Sequence, residues 1–489
     1  MTPTFLHRAY GSARIGCRLI GQLRVPFLPE AQLRAMRDQR VRRIVRYAAE
    51  NVPYYRRLFR HMGIDPSEIR TAEDLDHLPL IDKSAVRQDL DDFVSDSWSS
   101  RDALALRTSG STGVPLTVFH DVASVLDNAA YTERERSVVR TALGGRRGFR
   151  TMMVAYAGST GDEVRSFTSR HALVPAGAPR GRASPEDPIE RVMEAIDRFR
   201  PDVVSGNGSF LELVFRQILA EAAKIHRPAI LLYHGQAMSE AGLEQIENRL
   251  GIRVYSRYNA VEAFKIAFTC ESRDGFHLHC DLTHVKIVDP SGATLPPGER
   301  GEVVISNLVN RATVLLNYRL GDLAALASGA CPCGRTLPRL SGIEGRTEEI
   351  LTLASGRVLH PRAVWSVFKP QTEVLQYQLV QHAAERYEMR LKTADRTAFD
   401  RVVPTITARL REFLGADAIL EASFHEQLEA DEQGKFRTIV PYKAKARATR
   451  HRLVSGRRAM SKGSITLARG PGRGIKSTGT RAAVHLSVP

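Results

Sequence analysis

Short apolar segments alternate with amphipathic helical segments along residues 151–260, and this alternation constrains the fold more than any other feature of the sequence. The strand-like pieces begin with TMMVAYAG at residue 151 and end with IRVYSRYNA at residue 260. Between them, PIERVMEAIDRFR and SEAGLEQIENRLG repeat apolar residues at helical spacing. Strand–helix alternation predicts parallel strands joined by crossover helices. We therefore expect an α/β fold with layered β-sheets and helices.

The segments on either side predict further structure. Residues 30–63 have helical periodicity that is broken at Pro53 and stopped by Gly63, and a second helix start lies near Asp82. Residues 275–326 are rich in strand patterns with hairpin-like turns. A mixed pattern of about 90 residues then follows, which is a usual size for a small domain. The sequence thus predicts an N-terminal helical region of the large domain (1–100), a core (101–346), a small C-terminal α+β domain (347–440) and a basic tail (441–489).

The net charge of +16 comes mostly from the tail. Residues 441–489 contain twelve Lys or Arg residues and no acidic residue, so residues 1–440 carry a net charge of +4. The tail is rich in Gly, Ser and Arg and has no periodicity, which predicts a disordered segment that contacts polyanions without specificity. The charge therefore does not indicate specific nucleic-acid binding.

Two features of the whole chain bear on its compartment. The sequence has no run of 18 apolar residues and no clear signal-peptide core, so we expect no membrane span. Five cysteines in 489 residues do not suggest a disulfide scaffold and fit a reducing environment. A cytoplasmic protein is the expectation.

Residues 105–121, ALRTSGSTGVPLTVFHD, place glycine and hydroxyl residues between two apolar runs. Consecutive backbone N–H groups in such a turn can form a concave anion site, to which hydroxyl groups add donors. The segment lacks the lysine of a Walker loop, and by itself it is more typical of a plain loop. The candidate phosphate-binding residues are Thr108, Ser109, Gly110, Ser111, Thr112 and Gly113.

Five segments, in order, resemble the motifs of the adenylate-forming superfamily. They are the phosphate-binding signature RTSGSTGVP, YNAVE for Tyr-Gly-x-Thr-Glu, YRLGDLA for Tyr-x-x-Gly-Asp, the hinge IEGRTEEIL, and the late Gly-Lys segment GKFRTIV. Other segments, such as AENVPYYRRLF and CPCGRTLPRL, resemble the branch of phenylacetate–CoA ligases and capsular polysaccharide (CapK-like) proteins. The resemblance covers roughly residues 40–440.

The resemblance implies a large adenylate-forming domain and a small, mobile C-terminal domain. The implied activity is an ATP- and Mg²⁺-dependent ligase that activates a carboxylic acid as an acyl-adenylate and passes the acyl group to coenzyme A. An amine acceptor, giving an amide in natural-product or polysaccharide biosynthesis, is the alternative. Outside the enzymes, the alternative is a non-catalytic nucleotide-binding or scaffold protein. The oligomeric state, including a homodimer, is left open.

The resemblance also implies a role for each matching residue. Lys435 would face the phosphoryl oxygens on which charge grows during adenylation, and Glu262 would hold Mg²⁺, which prefers oxygen ligands. Asp322 would accept hydrogen bonds from the ribose hydroxyls, with the guanidinium of Arg346 nearby. The other implied positions are Tyr258 on the adenine ring, Gly235 and Gln236 along its edge, and Glu348 at the hinge. Each residue also has a plain structural alternative, such as a capped turn, a surface ion pair or a core position.

Several positions depart from the family pattern. Leu116 replaces a frequent basic or polar residue, and Glu348 stands where the hinge usually has Asp. Among the nucleotide-binding residues Asn259 replaces the usual Gly, and Gln236 stands where the branch often has Glu. Val261 replaces a Thr whose hydroxyl binds the α-phosphate. Valine has no hydrogen-bond donor in its side chain, so that bond either comes from the backbone or is lost. If it is lost, adenylation could be slow or altered.

The cysteines form a second group of candidate ligands. Cys270, His277, Cys331 and Cys333 flank strand-like segments, and four such soft ligands can close tetrahedrally on Zn²⁺. The branch resemblance includes both segments and favours zinc over buried free thiols. His279 and Cys280 are alternative ligands. Because four protein ligands leave no open position, we expect a structural role.

Overall fold

A computed structural model gives the structure of the chain. It describes residues 4–98, 103–108, 116–146, 148–155, 158–173, 181–185, 187, 189–346, 351–355, 358–359, 364, 367–368, 371, 373–415, 417–429 and 437–442. The chain divides into two compact units, residues 1–443 and 444–489, and all of the described residues lie in the first.

The helices in the described ranges include most of those predicted from the sequence. The α-helices are α1 Phe5–Leu19, α2 Glu30–Asn51, α3 Pro53–Met62, α4 Lys83–Gln88, α5 Leu90–Phe93, α6 Val122–Ala142, α7 Thr160–His171, α8 Ile189–Phe199, α9 Gly208–Ala220, α10 Glu240–Leu250 and α11 Arg396–Leu414. Short 3₁₀ helices span Val25–Phe27, Pro66–Glu68 and Glu73–His77. No helix among the described residues is long and apolar enough to cross a lipid bilayer.

The strands fall into one large sheet and three smaller ones. Their bounds are β1 Leu104–Arg107, β2 Thr117–His120, β3 Thr151–Val154, β4 Gly181–Ala183, β5 Val203–Asn207, β6 Ile230–His234, β7 Arg253–Ala260, β8 Phe264–Thr269, β9 Phe276–Leu278, β10 Thr283–Val288, β11 Arg300–Asn307, β12 Tyr318–Leu326, β13 Arg339–Arg346, β14 Leu351–Thr352, β15 Val358–Leu359, β16 Val374–Gln381, β17 Arg386–Thr393, β18 Ile419–Phe424 and β19 Ile439–Val440.

The large sheet has the order β10-β11-β12-β13-β9-β8-β7-β6-β5-β3-β4. Strands β4, β3, β5, β6 and β7 are parallel, as the strand–helix alternation predicts, and pairing is antiparallel from β7 to β10. The α/β fold class is therefore confirmed. Ligands of such sheets bind at the carboxyl ends of parallel strands. Near these ends of β5, β6 and β7, the residues Asn207, His234 and Arg257 lie side by side as register partners.

Local signals in the sequence set several helix ends. The side chain of Asp82 accepts a hydrogen bond from the backbone N–H of Ala85 and caps α4. Pro53 starts α3 instead of lying inside a helix, where it would remove a hydrogen bond. Gly63 ends α3 with φ 65°, a left-handed conformation that favours glycine. These features confirm the predicted break at Pro53 and the stop at Gly63.

The C-terminal part has its own apolar core. Buried residues from Leu351 to Ile439 form one cluster, separate from the main cluster of the large sheet. Helix α11 buries Phe399, Val402 and Ile406 in it, and the adjoining sheet has the order β18-β17-β16-β19. The α+β character of this part is confirmed, whereas the exact boundaries at residues 346 and 440 stay predictions.

Candidate active site

Strands β1 and β2, which flank the glycine-rich segment in the sequence, pair antiparallel. The backbone N–H of Thr108 donates to the carbonyl of Leu116 over 2.8 Å, and the N–H of Leu116 donates to the Thr108 hydroxyl over 3.0 Å. These two bonds join the residues that flank the glycine-rich segment in the sequence. Leu116 is 2% exposed and belongs to the main core, which explains an apolar residue there. Ser109, Gly110, Ser111, Thr112 and Gly113 lie outside the described residues.

Two tyrosines and two carboxylates pair crosswise between β7 and β12. The hydroxyl of Tyr258 donates to Asp322 Oδ2 over 2.7 Å, and the hydroxyl of Tyr318 donates to Glu262 Oε1 over 3.2 Å. Each segment thus supplies one tyrosine and, four positions later, one carboxylate. Both carboxylate residues are 8% exposed. The sequence-predicted Tyr258, Glu262 and Asp322 are therefore brought together, and Tyr318 is an additional residue that binds them.

Glu262 lies in the β7–β8 turn, where its backbone and side chain have separate partners. The side-chain amide of Asn307 donates to the Glu262 carbonyl over 3.0 Å. A carboxylate has more acceptor sites than one tyrosine hydroxyl occupies. The buried side chain of Glu262 is therefore suited to an oxygen-binding cation such as Mg²⁺.

The backbone of Arg346 on β13 lies next to that of Asp322 on β12. The two residues are Cα partners across β12 and β13. The structure describes the backbone of Arg346 but not its side chain. Lys435 and Glu348 lie outside the described residues, so their predicted roles stay predictions.

His120 joins the base of the glycine-rich hairpin to the β7–β8 turn. Its Nε2 lies 2.8 Å from the Val261 carbonyl, and its ring lies 4.0 Å from that of Phe264. Burial lowers the pKa of His120 to about 4, so the ring is neutral near pH 7 and Nε2–H is the donor. Sequence reasoning missed this residue because its partner is 141 positions away. It fixes the backbone at Val261, where the side chain has no donor.

Gly235 and Gln236 directly follow β6 and pack against the residues that follow β5. The Ser209 hydroxyl donates to Gln236 Oε1 over 2.8 Å. Gly235 has φ 80°, and a Cβ on Gly208 would lie only 2.1 Å from the Gln236 carbonyl oxygen. Both glycines therefore allow the close approach of these strand ends. When the side-chain amide of Asn259 is oriented to satisfy its neighbours, its nitrogen donates to the carbonyls of Tyr258 and Phe264 over 3.0 and 3.2 Å, which gives this departure a structural role.

Cys270, His277, Cys331 and Cys333 form a compact cluster apart from these residues. Their four donor atoms all lie within 4.8 Å of one another. The Cys270 and Cys331 sulfurs are 3.6 Å apart, and Cys333 Sγ lies 3.3 Å from His277 Nε2. Tetrahedral Zn–S bonds of about 2.3 Å would place two sulfurs about 3.8 Å apart. His277 Nδ1 lies 3.3 Å from the Leu337 carbonyl, the kind of contact that orients a ligating ring.

The alternative ligands face other groups. His279 Nε2 lies 3.4 Å from Glu135 Oε1, and Nδ1 lies 3.4 Å from the guanidinium of Arg134. Cys280 is buried and does not belong to the four-residue cluster. The first ligand set is therefore the one whose geometry fits a metal ion.

Comparisons with known proteins identify the family of the chain. A family model described as "AMP-binding enzyme" matches residues 1–310. A phenylacetate-coenzyme A ligase of Thermus thermophilus is 30% identical over 365 residues, 72% of this chain and 79% of that protein. The ligase of the same name from Escherichia coli is 27% identical over 362 residues, 71% and 79% of the two proteins.

Solved structures of a 2-hydroxyisobutyryl-CoA ligase share the fold. The postadenylation state with R3-HIB-AMP has a TM-score of 0.69 at 19% identity and covers 85% of this chain and 91% of that chain. An open conformation with 2-HIB-AMP and CoA has a TM-score of 0.56 at 20% identity and covers 86% and 93%. This likeness confirms the predicted fold.

Proposed function

The chain belongs to the AMP-binding enzyme family, and from that premise we propose that it is an ATP-dependent ligase acting on a carboxylic acid. It activates the acid as an acyl-adenylate and transfers the acyl group to coenzyme A, as the names of its phenylacetate-coenzyme A ligase relatives indicate. The observation that carries the proposal is the crosswise pairing of Tyr258 with Asp322 and of Tyr318 with Glu262.

Each buried group has a task in this reaction. Asp322 accepts the ribose hydroxyls, since a carboxylate is an acceptor-only group. Tyr258 packs against the adenine while its hydroxyl orients Asp322, and Gly235 and Gln236 line the adenine edge. Glu262 holds Mg²⁺, which neutralises phosphate charge when it is bound.

The glycine-rich loop and Lys435 complete the proposed site. Backbone N–H and hydroxyl groups of residues 108–113 bind the terminal phosphates of ATP. The ammonium of Lys435 stabilises the charge that develops on the α-phosphoryl oxygens. Arg346 contributes a second cation near the ribose, and Glu348 is the hinge about which the C-terminal part turns between the half-reactions.

Pyrophosphate exchange over a panel of carboxylic acids tests the activity. Removing a preorganised donor to a developing oxyanion costs about 10²–10³ in rate, so we expect Lys435→Ala to lose that much exchange while ATP still binds. Lys224→Ala, which changes an exposed lysine on the large domain, is the matched control. If no acid supports exchange and Lys435→Ala behaves as the control does, the ligase proposal fails in favour of the non-catalytic alternative.

The acceptor is tested separately by product mass. Coenzyme A is the proposed acceptor, and the product is then a thioester whose formation requires CoA. Consumption of an amine without CoA would support the amide-forming alternative instead. A cytoplasmic location, a homodimer and a CapK-like role in polysaccharide biosynthesis remain predictions from the sequence.

We further propose that Cys270, His277, Cys331 and Cys333 hold a structural Zn²⁺. The compact donor set and the ring-orienting carbonyl of Leu337 support it. The four ligands fill a tetrahedral shell and leave no position for substrate, so the metal stabilises the fold and takes no part in the reaction.

A further inference from the structure

Two cations share one buried carboxylate directly beside the candidate site. Arg257 precedes Tyr258 on β7, Lys265 lies on β8, and Glu135 lies on α6. Glu135 Oε2 is 2.7 Å from Arg257 Nε, and Glu135 Oε1 is 2.6 Å from Lys265 Nζ. The side chain of Glu135 is 3% exposed, that of Lys265 12% and that of Arg257 20%. We call these three residues the Arg257 cluster.

The surroundings of the Arg257 cluster do not balance its positive charge. His279 contacts Glu135 and His234 is the strand partner of Arg257, but burial lowers the pKa of each ring to about 4, so both are neutral near pH 7. Among the described residues, no second carboxylate contacts Arg257 or Lys265.

The neighbouring buried ion pair brings no spare negative charge either. Arg134 lies next to Glu135 on the same helix and forms two hydrogen bonds with Asp281, over 2.7 and 2.9 Å. The guanidinium of Arg40 also lies 3.6 Å from that carboxylate. Asp281 is therefore already shared by two arginines, which leaves Glu135 alone to pair with Arg257 and Lys265; burial, opposed by Glu135, lowers the pKa of Lys265.

Arg257 also has unused hydrogen-bond donors. Its Nε contact with Glu135 is an ion pair without hydrogen-bond geometry, and its guanidinium donates to no residue in the described ranges. A guanidinium carries five N–H donors in a planar fork that matches a carboxylate. Nε faces Glu135, whereas the two terminal amino groups are not among the buried donors and hydrogen-bond no described residue, so they are available to a ligand that brings an oxyanion.

The Arg257 cluster lies where a ligand is expected. Asn207, His234 and Arg257 are register partners at the carboxyl ends of β5, β6 and β7. At β7 the sheet changes from parallel to antiparallel pairing, and this edge is the usual ligand site of α/β sheets. Arg257 directly precedes Tyr258 on β7, so its backbone lies beside the proposed adenine site, while its side chain leaves the opposite face of the strand and reaches Glu135 on α6.

We propose that Arg257 and Lys265 bind a second carboxylate on the substrate, so that the enzyme activates a dicarboxylic acid at one end and holds it by the other. The inference rests on the proposed ligase function and names its substrate class. The second carboxylate supplies the acceptors that Arg257 lacks and offsets the excess charge beside Glu135. Phenylacetate has one carboxylate only and would leave these donors unpaired.

Pyrophosphate exchange with matched acids tests the proposal. The pairs are hexanoate with adipate and phenylacetate with 1,4-phenylenediacetate, each assayed with ATP and Mg²⁺. Hydrogen bonds between a guanidinium and a carboxylate are stronger than those between neutral groups. We therefore expect the wild type to favour the dicarboxylate of a pair by at least about tenfold in kcat/KM, which corresponds to about 1.4 kcal/mol.

Variants of the Arg257 cluster provide the second readout. Arg257→Met and Lys265→Met should each lower the preference for the dicarboxylate over the monocarboxylate of the same pair, measured as the ratio of their kcat/KM values, by about tenfold or more. Arg257→Lys, which keeps the charge without the fork, should retain part of the preference. Arg253→Met removes an exposed arginine from the same strand and is the matched control.

The outcomes separate this inference from the proposed function. If no acid of either type supports exchange by the wild type, the ligase proposal fails and the inference with it. If monocarboxylates are used as well as dicarboxylates, or if Arg257→Met matches Arg253→Met on every acid, the inference is wrong while the ligase proposal stands. If Arg257→Met folds poorly, the wild-type preference for dicarboxylates and the behaviour of Lys265→Met still test the inference.

Discussion

Tyr258 and Tyr318 each hold a carboxylate that belongs to the other segment. The hydroxyl of Tyr258 reaches Asp322 on β12, and that of Tyr318 reaches Glu262 in the β7–β8 turn. A buried carboxylate needs such donors, since an ionised group without partners is costly in the interior. The pairing therefore orients Asp322 and Glu262 before any ligand binds.

Removing one of these hydroxyls should weaken nucleotide binding without stopping the chemistry. Tyr258→Phe keeps the ring and loses the 2.7 Å bond to Asp322. Hydrogen bonds to charged groups contribute about 1.5–3 kcal/mol, of which part is recovered from water. We expect the KM for ATP to rise about tenfold with kcat within a factor of about two. Steady-state kinetics at saturating acid measures both.

Tyr442→Phe removes a hydroxyl from a side chain that is 47% exposed and serves as the control. A Tyr258→Phe enzyme with unchanged KM for ATP would contradict the role given to Asp322. A drop in kcat alone would instead place the Tyr258 hydroxyl near the reacting atoms.

The residues that the sequence identifies are those within recognisable motifs. Tyr258, Glu262 and Asp322 each occupy a motif position, so a resemblance could point to them. His120 and Arg257 have no such mark, because their partners lie on elements far away in the chain: His120 faces Val261, and Arg257 faces Glu135. Periodicity and spacing carry no information on such long-range pairs.

At the scale of elements, the parallel strands were the most predictable part. Strand β6, for example, begins with three consecutive apolar residues, Ile230–Leu232, and lies between the amphipathic helices α9 and α10, so the pattern of each element is clear. The order of the antiparallel half was not predictable. β9 lies between β8 and β13, although β13 follows it by more than 60 residues, and only tertiary packing determines that neighbour.

The four residues of the cysteine cluster come from segments that are far apart in the sequence. Cys270 follows β8, His277 lies on β9, and Cys331 and Cys333 lie between β12 and β13. Because zinc binding to a folded site adds to folding free energy, we expect about one zinc per chain. Cys331→Ser/Cys333→Ser should lose that zinc and lower the Tm by several degrees. Metal analysis and thermal unfolding measure the two effects.

Cys17→Ser is the matched control, because Cys17 is exposed and lies outside the cluster. It should retain zinc and Tm. Full zinc content in the double variant, or none in the wild type, would show that the cluster is not a zinc site.

At the scale of the whole molecule, several buried titratable groups change their protonation state as the pH falls. Burial lowers the pKa of His120, His234 and His284 to about 4. For Glu135, burial opposes ionisation, but Lys265 and Arg257 outweigh it and hold the pKa well below the usual range. All four groups have a folded-state pKa below the unfolded value. Their contribution to stability is therefore complete above pH 7 and is lost as the pH falls, first for the histidines and then for the carboxylate.

His120 gives the sharpest test of this acid sensitivity. An unfolded histidine takes up its proton near pH 6.5, whereas folded His120 does so near pH 4, so this one group should cost about 2 kcal/mol of unfolding free energy between pH 7 and pH 5. His120→Gln keeps a donor for the Val261 carbonyl but cannot titrate. Urea unfolding at both pH values should therefore show a smaller loss in the variant, by about 2 kcal/mol. His7→Gln, at an exposed position near the N-terminus, should behave as the wild type. Equal losses in His120→Gln and wild type would mean that His120 does not titrate in this range and that the acid sensitivity comes from the other buried groups.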